Sequence, residues 1–349
     1  MEEHMKAAIV GGTGYSAVEL IRLLHHHPYV EIETIVSHST AGQEMDTVYP
    51  HLTQIIQQPL DQLDVDQISN KVDVVFFATP SGVSKGYVPH FLERGVACID
   101  LSGDFRLESP IEYEQWYKKS AAEEKYLNQA VYGLSEVYQN EIKESKLIAN
   151  PGCYPTATLL GLLPAIQNHL IDYQSIIIDA KSGVSGAGRS QSLATHYAEV
   201  NENLKAYKMG AHQHIPEIEQ MLKVESGSDL QITFTTHLVP MTRGIMATIY
   251  APLKAQIKTA DVIHLYKEFY EKHPFIRVRN EGEFPATKEV YGSNYCDIGL
   301  YADDRTGRLT VVSVIDNLVK GAAGQAIQNL NIMNGWDVQT GLTNLPIYP

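Results

Sequence analysis

The chain has 349 residues, 44% of them hydrophobic, which predicts about two domains with sizeable cores. Its formal net charge of −14 argues against nucleic acid as a partner, because phosphate binding requires clustered Lys and Arg. No apolar run is long enough to span a membrane, and the strand pattern starts so early that no signal peptide is expected. The three cysteines lack CxxC spacing, which fits a reducing cytoplasm and excludes a zinc ribbon.

An apolar strand, Lys6 to Val10, runs directly into a glycine turn and then into a helical pattern that stops near Pro28. This order predicts a dinucleotide-binding unit, since the helix N-terminus can receive a pyrophosphate. The turn reads GxxGxxA rather than GxGxxG, so an ordinary strand-to-helix turn is the alternative. The residues expected to hold the nucleotide here are Gly11, Gly12, Thr13, Gly14, Tyr15 and Ser16.

The second strand, Glu31 to Val36, is followed by hydroxyl side chains and a histidine. An enzyme that uses NAD usually places Asp or Glu here to hold the ribose 2′-hydroxyl. Because no acidic residue stands at positions 37–40, Ser37 and His38 favour a 2′-phosphate and therefore NADP as the cofactor. An ordinary polar loop is the alternative.

Two further apolar strands are expected in the same sheet. The first, Asp73 to Ala78, is followed by Thr79 and Pro80 at the carboxyl edge, where cofactors bind in parallel sheets. The next leads to Arg106, whose guanidinium is suited to clamp an anion with two hydrogen bonds. A surface arginine paired with Asp104 is the alternative interpretation.

The segment 150–154 joins a short apolar strand to a helix predicted over Tyr154 to Ile166, with Pro155 tolerated in its first turn. Cys153 therefore faces a helix N-terminus, where unpaired amides and the macrodipole favour the thiolate, the nucleophilic form of cysteine. A small buried cysteine that fills the turn is the alternative, and burial is the usual fate of a free thiol.

Beyond Cys153 the pattern changes towards longer strands. A strand over Ile176 to Lys181 leads into the glycine-rich segment 182–189, in which the backbone can approach a ligand closely, a flexible linker being the alternative. The segment His212 to Glu217 then places two imidazoles and a carboxylate within six residues. A general acid/base histidine that serves Cys153 is favoured over a metal site, which would lack an HExxH-like helix, and over solvated loop histidines.

From residue 232 onwards, the sequence mainly predicts strands and helices that form the core. Ile232 to Val239 and Ile245 to Ala251 alternate as strands do and predict an antiparallel hairpin with a short irregular loop. A helix from about Thr259 to Lys272 and a last strand from Leu309 to Val314 follow. Asp316 to Met333 then predicts an amphipathic helix that packs on the core.

Six segments, in the same order along the chain, resemble the N-acetyl-γ-glutamyl-phosphate reductase family. They are Gly11 to Tyr15, Asp100 to Leu107, Asn150 to Ala157, His212 to Glu217, Gly292 to Asp297 and Ile315 to Ala323. The block around Cys153 is specific, whereas the glycine turn is shared with aspartate-semialdehyde dehydrogenase and others.

The resemblance implies an α/β fold with a Rossmann-like NADP-binding domain over residues 1–149 and 316–349. It implies an α+β catalytic and dimerisation domain of the semialdehyde dehydrogenase type over residues 150–315. The implied activity is the NADPH-dependent reduction of N-acetyl-L-glutamyl 5-phosphate to the 5-semialdehyde, with release of phosphate, in arginine biosynthesis. A cytoplasmic homo-oligomer, dimeric or tetrameric, is expected.

The resemblance also implies roles for individual residues. Cys153 would form a thioester with the substrate and His214 would supply the proton, with His212 as the reserve for that role. No metal ion is expected. The residues expected near the nicotinamide are Ser182, Gly183, Asn317 and Lys181. The expected substrate contacts are Arg106, Asn150, Lys181, Arg189 and His212.

Two competing functions remain open. Aspartate-semialdehyde dehydrogenase uses the same nucleophile on a shorter substrate, and the HxHxPE string argues against it. A protein that binds NADP without catalysis is the second competitor, and alkylation of Cys153 would leave its binding unchanged.

Overall fold

The computed structural model describes residues 4–349, which divide into two compact units. The first unit contains the described residues up to Pro151 together with Ala322–Thr343, and the second contains Gly152–Gly321 and Asn344–Pro349. Residues 316–321 and 344–349 thus group with the second unit and residues 150–151 with the first, whereas the resemblance implied the opposite assignment for each. Within residues 4–349, no helix has the length and apolar character needed to cross a membrane.

The predicted strands and helices occur in the expected order, and the structure adds elements that were not predicted, such as the strand Cys296–Asp303 and the helix His214–Ser226. The strands are β1 Met5–Val10, β2 Val30–Val36, β3 Val74–Phe77, β4 Ala97–Asp100, β5 Val131–Tyr132, β6 Leu147–Ala149, β7 Ile176–Ser182, β8 Lys205–Tyr207, β9 Ile232–Leu238, β10 Ile245–Pro252, β11 Ile276–Val278, β12 Cys296–Asp303 and β13 Arg308–Ile315. The α-helices are α1 Tyr15–Leu24, α2 Met45–Val48, α3 Val65–Ser69, α4 Val88–Glu93, α5 Pro110–Tyr117, α6 Glu124–Leu127, α7 Gln139–Glu144, α8 Cys153–Gln167, α9 Tyr197–Val200, α10 His214–Ser226, α11 Thr259–Phe269 and α12 Gly324–Met333.

The sheet of the first unit has the strand order β2-β1-β3-β4-β6-β5, and its pairings are parallel. Its central strand β3 is a continuous apolar run that is buried at every position, as expected when both faces of a sheet are covered. The chain moves from β1 to β2 on one side and then to β3 on the other, so a topological switch point lies at the carboxyl end of β1. The predicted Rossmann-like organisation is confirmed.

The sheet of the second unit has the order β11-β12-β13-β10-β7-β9-β8 and is mixed. Buried and partly exposed side chains alternate along β7 and β10, so one face of the sheet is buried and the other is not. The helix α8 packs on the buried face, where Gly161 lies against Ile249 and Val311. We call the other side the open face, and its partly exposed side chains include Ile177, Asp179, Lys181, Thr248 and Tyr250.

The predicted hairpin of β9 and β10 is wrong, because β7 lies between these two strands. β7 pairs with β9 in parallel and with β10 in the antiparallel sense. The connection passes the end of β7, where Val239 N donates to Ser182 O over 3.0 Å and Gly183 N donates to Gly244 O over 2.9 Å. Alternation in the sequence identified both strands, but it carries no information about which strand each one pairs with.

The predicted amphipathic helix over 316–333 is wrong in its start and in its character. A π-helical turn, Val319–Ala323, precedes α12, and α12 itself is buried along almost its whole length. Its amide side chains bond inside the first unit, since Gln325 Nε2 and Asn329 Nδ2 each donate to Gly133 O over 2.8 Å. Polar residues that suggested an exposed face are therefore satisfied by buried partners.

Candidate active site

The glycine turn after β1 leaves no room for a side chain at Gly11 or Gly12. Gly11 has φ +92°, and a Cβ there would lie 2.5 Å from the carbonyl oxygen of Ala78. The amides of Gly11 and Gly12 both donate to Val36 O, over 3.0 and 2.8 Å. The turn thus brings the N-terminus of α1 to the carboxyl edge of the sheet, which is the arrangement that receives a pyrophosphate. These residues fit a dinucleotide.

The other cofactor residues predicted in the first unit lie at the ends of the two strands that flank β1. Ser37 is buried where β2 ends, and His38 beside it is exposed. Thr79 follows β3 and lies close to the turn, since a Cβ on Gly11 would be 3.3 Å from its Cγ2. Pro80 is exposed next to it. The structure therefore brings these predicted residues together.

Arg106 is buried in the first unit, with 8% of its surface exposed, so the interpretation of a surface arginine is wrong. Its Nε donates to Asn150 O and its Nη2 to Leu101 O, each over 2.8 Å. Leu101 follows β4 and Asn150 follows β6, so the guanidinium ties the carboxyl ends of two neighbouring strands together. Asn150 is fully buried and donates through Nδ2 to Ala322 O over 3.1 Å.

Asp104 anchors the loop that follows β3. Its fully buried carboxylate accepts hydrogen bonds from Gly82 N (2.5 Å), Ser84 Oγ (2.9 Å), Lys85 N (3.2 Å) and Tyr113 OH (2.6 Å). Because three of these donors belong to the segment just after Thr79 and Pro80, this carboxylate fixes the backbone beside the predicted cofactor residues.

A second buried carboxylate, Asp100, ends β4. Burial, and then the nearby charge of Asp104, raise the pKa of Asp100 to about 7. The hydroxyl of Ser102 donates to it over 2.8 Å and acts in the opposite direction. Asp100 is therefore protonated in part of the molecules at neutral pH.

In the second unit, Cys153 is the first residue of α8, with Gly152 as the residue that precedes the helix. Its predicted position at a helix N-terminus is confirmed. Cys153 is partly exposed and free of any disulfide. The segment before α12 approaches it closely, since a Cβ on Gly321 would lie 2.8 Å from the Cβ of Cys153.

His214 begins α10, and its ring lies against the residue that precedes Cys153 in the chain. A Cβ on Gly152 would be 2.5 Å from Nε2 of His214. The structure thus brings the predicted nucleophile and the predicted acid/base residue to one place in the second unit.

His212 is also buried, but it does not behave as an acid/base group. Burial, and then the charge of Lys208, lower the pKa of His212 to about 3, so its ring is neutral near neutral pH. Its ring packs edge-on against Tyr154, with centroids 5.4 Å apart, and lies 4.7 Å from that of His214. The geometry favours His214 over His212 as the proton donor.

Three residues predicted near the nicotinamide, Ser182, Gly183 and Asn317, form one cluster at the carboxyl end of β7. Asn317 Oδ1 accepts from Gly244 N over 2.7 Å. A Cβ on Gly186 would lie 3.0 Å from Ser182 Oγ and 3.7 Å from Asn317 Nδ2. A Cβ on Gly183 would meet backbone at 2.7 Å, so the loop packs tightly here.

Two predicted substrate residues lie elsewhere in the second unit. Lys181 is on the open face, on the side of the sheet opposite α8, and its Nζ pairs with Asp179 Oδ2 over 2.6 Å. Arg189 is exposed on the loop that follows β7. Lys181 therefore lies on the side of the sheet that faces away from α8, the helix that begins at Cys153.

Sequence reasoning noted the carboxylate of Glu217 in the segment 212–217 but assigned it no role. Glu217 is fully buried on α10, and its Oε1 accepts from Gly152 N over 2.7 Å. Its spacing of three residues from His214 on a helix, which places both side chains on one face, was the available signal.

Metal-binding clusters and cavities were the other features that could mark a functional site. Within residues 4–349, no group of three or more His, Cys, Asp or Glu side chains is placed to hold a metal ion. A cavity of 460 Å³ in the first unit is lined by His25, His27 and Glu31 among others. It lies at the amino end of β2, away from the carboxyl edge where the glycine turn sits.

Family models match both units. The model described as semialdehyde dehydrogenase, NAD binding domain, matches residues 6–145, and the one described as semialdehyde dehydrogenase, dimerisation domain, matches residues 153–317. Two solved structures have the same fold. Aspartate semialdehyde dehydrogenase II of Vibrio cholerae, complexed with ASA, gives a TM-score of 0.72 at 17% identity and covers 96% of this chain and 99% of that one. Aspartate semialdehyde dehydrogenase of Candida albicans, with NADP, gives 0.71 at 17% identity, covering 95% and 99%.

Three bacterial proteins named N-acetyl-gamma-glutamyl-phosphate reductase are similar along the whole length. The protein of Oceanobacillus iheyensis is 56% identical over 346 residues, covering 99% of both chains. That of a Geobacillus species is 58% identical over 345 residues, and that of Bacillus subtilis is 53% identical over 345, each covering 99% of this chain and 100% of the relative. The chain belongs to the N-acetyl-gamma-glutamyl-phosphate reductase family, within the semialdehyde dehydrogenases.

Proposed function

We propose that the protein reduces N-acetyl-L-glutamyl 5-phosphate to N-acetyl-L-glutamate 5-semialdehyde with NADPH, releasing phosphate, in arginine biosynthesis. One observation carries the proposal: Cys153 starts α8 while the ring of His214 lies against the adjoining Gly152. The family of the chain supports the choice of substrate, because its relatives carry the name of this reductase at 53–58% identity.

The reaction starts on the sulfur of Cys153, which the N-terminus of α8 favours as a thiolate. The thiolate attacks the acyl carbon, a C–S bond forms, and the bond from carbon to the phosphate oxygen breaks, so phosphate leaves and a thioester remains. The amides of Cys153 and Tyr154 stabilise the oxyanion, since Pro155 has no N–H to offer.

When bound, NADPH supplies the hydride that takes the thioester to the oxidation level of the aldehyde. His214 donates a ring proton to the oxygen of the resulting tetrahedral thiohemiacetal and takes it back as the C–S bond breaks. Cys153 therefore leaves as the thiolate it was at the start, and the aldehyde is released. His212, which is neutral, holds His214 in place.

We assign the cofactor to the first unit and the catalytic residues to the second. The glycine turn, Thr79 and Pro80 would hold the dinucleotide, with Ser182, Gly183 and Asn317 around the nicotinamide. NADPH is proposed rather than NADH because Ser37 and His38, and no carboxylate, stand at 37–40 after β2.

The phosphate and the carboxylate of the substrate require cationic side chains or hydrogen-bond donors. Arg106 and Asn150 are the proposed contacts in the first unit, and burial strengthens the attraction of the Arg106 guanidinium for an anion. In the second unit, Arg189 and His212 remain the proposed substrate contacts. Lys181, which lies on the open face, is better suited to contacts between subunits.

We further propose a cytoplasmic homo-oligomer, a dimer or tetramer, with its subunit contacts in the second unit. The matched dimerisation-domain model supports this, as does the open face, where Tyr301 remains 47% exposed. None of the three cysteines forms a disulfide, which suits a reducing compartment.

The test runs the reaction backwards, with N-acetylglutamate semialdehyde, phosphate and NADP⁺, in the wild type and in Cys153→Ser. We expect formation of NADPH that requires phosphate and disappears in the variant. If aspartate semialdehyde gives the signal and N-acetylglutamate semialdehyde does not, the proposed substrate is wrong. If neither aldehyde reacts while NADPH still binds, the protein is not this enzyme.

A further inference from the structure

The residue that precedes the nucleophile is held from several directions. The amide of Gly152 donates to Oε1 of Glu217 over 2.7 Å. Its carbonyl oxygen accepts from Thr156 N over 2.9 Å and from Thr156 Oγ1 over 3.0 Å. The ring of His214 covers its Cα, where a Cβ would lie 2.5 Å from Nε2. The position of Cys153 therefore follows from the contacts of Gly152.

Two of these contacts come from one rigid element. His214 and Glu217 lie in the first turn of α10, three residues apart, so both project from the same face of the helix. Glu217 is fully buried, and an acidic side chain near a helix N-terminus is favoured by the macrodipole. α10 thus presents an imidazole and a carboxylate together to the backbone of Gly152.

We propose that Glu217 is a positioning residue for the reaction, which fixes Cys153 relative to His214 through the amide of Gly152. This inference rests on the roles proposed above for Cys153 and His214. Because the N–H of Gly152 is engaged by Glu217, the stabilising amides are those of Cys153 and Tyr154.

A positioning role depends on the reach of Glu217, whereas a role through charge depends on its ionisation. Glu217→Gln keeps the length and an acceptor oxygen but loses the charge. Glu217→Asp keeps the charge but is one methylene shorter, so the carboxylate no longer reaches the amide of Gly152. The two variants separate the two roles.

We expect Glu217→Gln to keep kcat close to the wild-type value. Glu217→Asp should lower kcat about 100-fold with little change in KM, since displacement of a nucleophile by about 1 Å costs that much. Glu219→Asp is the matched control, because Glu219 on the same helix accepts from a different backbone amide, Ile232 N, over 2.9 Å. Its kcat should stay at the wild-type value.

The second measurement is hydrogen exchange of a peptide that contains Gly152, which needs no activity. One amide of this peptide should exchange faster in Glu217→Asp and at the wild-type rate in Glu217→Gln. If the wild type shows no reductase activity, the proposed function fails, and the exchange rates still test the Glu217 contact.

The inference is overturned if folded Glu217→Gln loses as much turnover as Glu217→Asp, or if Glu217→Asp keeps wild-type turnover and exchange. Circular dichroism identifies a variant that does not fold. If Glu217→Asp fails to fold, Glu217→Gln alone decides, because a positioning role requires that it retain turnover and protection of the amide.

Discussion

The backbone amide of His214 donates a hydrogen bond to Nδ1 of His212 over 3.1 Å. Nδ1 of His212 must therefore carry a lone pair, which places the proton of the neutral ring on Nε2. Since the pKa of His212 is also lowered to about 3 by burial, this ring does not titrate near neutral pH. Two histidines separated by one residue thus have different tasks, and only His214 is available to transfer a proton.

The first prediction separates these tasks by turnover. His214→Asn should lower kcat by about 10²- to 10⁴-fold, because it removes the group that transfers the proton. His212→Asn should lower kcat less, because the ring of His214 is still present. The assignment is wrong if only the His212 variant loses turnover.

The second prediction concerns the glycine turn. Gly11→Ala should abolish NADPH binding, because a Cβ there meets Ala78 O at 2.5 Å and the residue needs φ +92°. Fluorescence titration with NADPH measures this. Gly86→Ala in the same unit is the control, since a Cβ at Gly86 has no heavy atom within 4 Å and should leave affinity unchanged. Equal affinity in both variants would contradict a nucleotide site at this turn.

The third prediction concerns the loop that Asp104 anchors. Asp104→Asn places an NH₂ group among N–H and O–H donors, so we expect a loss of about 1–3 kcal/mol in the free energy of unfolding. NADPH affinity should fall as well, because the segment after Thr79 is released. Asp66→Asn is the control: Asp66 is 76% exposed in a surface pair with Arg94, and its loss should cost at most about 0.5 kcal/mol. Equal stability of the two variants would argue against the anchor.

The fourth prediction follows from the raised pKa of Asp100. Its folded-state pKa of about 7 lies above the ordinary 3.8, so the folded state binds more protons and stability falls as pH rises through this window. Asp100→Asn cannot ionise. Its Tm relative to wild type should therefore increase with pH between 3.8 and about 7.

A control of opposite sign accompanies that measurement. The pKa of Asp303 is lowered by the hydroxyl of Thr306 and nearby groups, so this carboxylate adds stability that is present above 3.8 and lost as pH falls. The Tm of Asp303→Asn relative to wild type should decrease as pH rises. If both variants shift in the same direction, the cause assigned to Asp100 is wrong.

Much of the first unit could be predicted from its sequence. Each central strand is a short apolar run, and the glycine turn and Cys153 both sit where a strand gives way to a helix, which is a local pattern. The placement of Cys153 at the start of α8 needed only the Pro-Gly break before it and Pro155 in the first turn.

The features that sequence reasoning missed depend on contacts between distant segments. β9 and β10 are neighbours in sequence, yet both pair with β7, more than fifty residues earlier. The polar side chains of α12 resemble those of an exposed face until their partner, Gly133 O, is known. Glu217 was part of a recognised motif, but its bond to Gly152 requires the packing of α10 on α8.

The position of α12 determines the order in which the chain can fold as it is synthesised. The first unit needs Gln325 and Asn329 to satisfy the carbonyl of Gly133, and these residues are made only after all of residues 152–321. A nascent chain that ends before α12 holds all strands of the parallel sheet but lacks the donors for the buried carbonyl of Gly133. Residues 152–321, which make up most of the second unit, are complete at that stage. They are therefore expected to become protease-resistant on the ribosome before the first unit does.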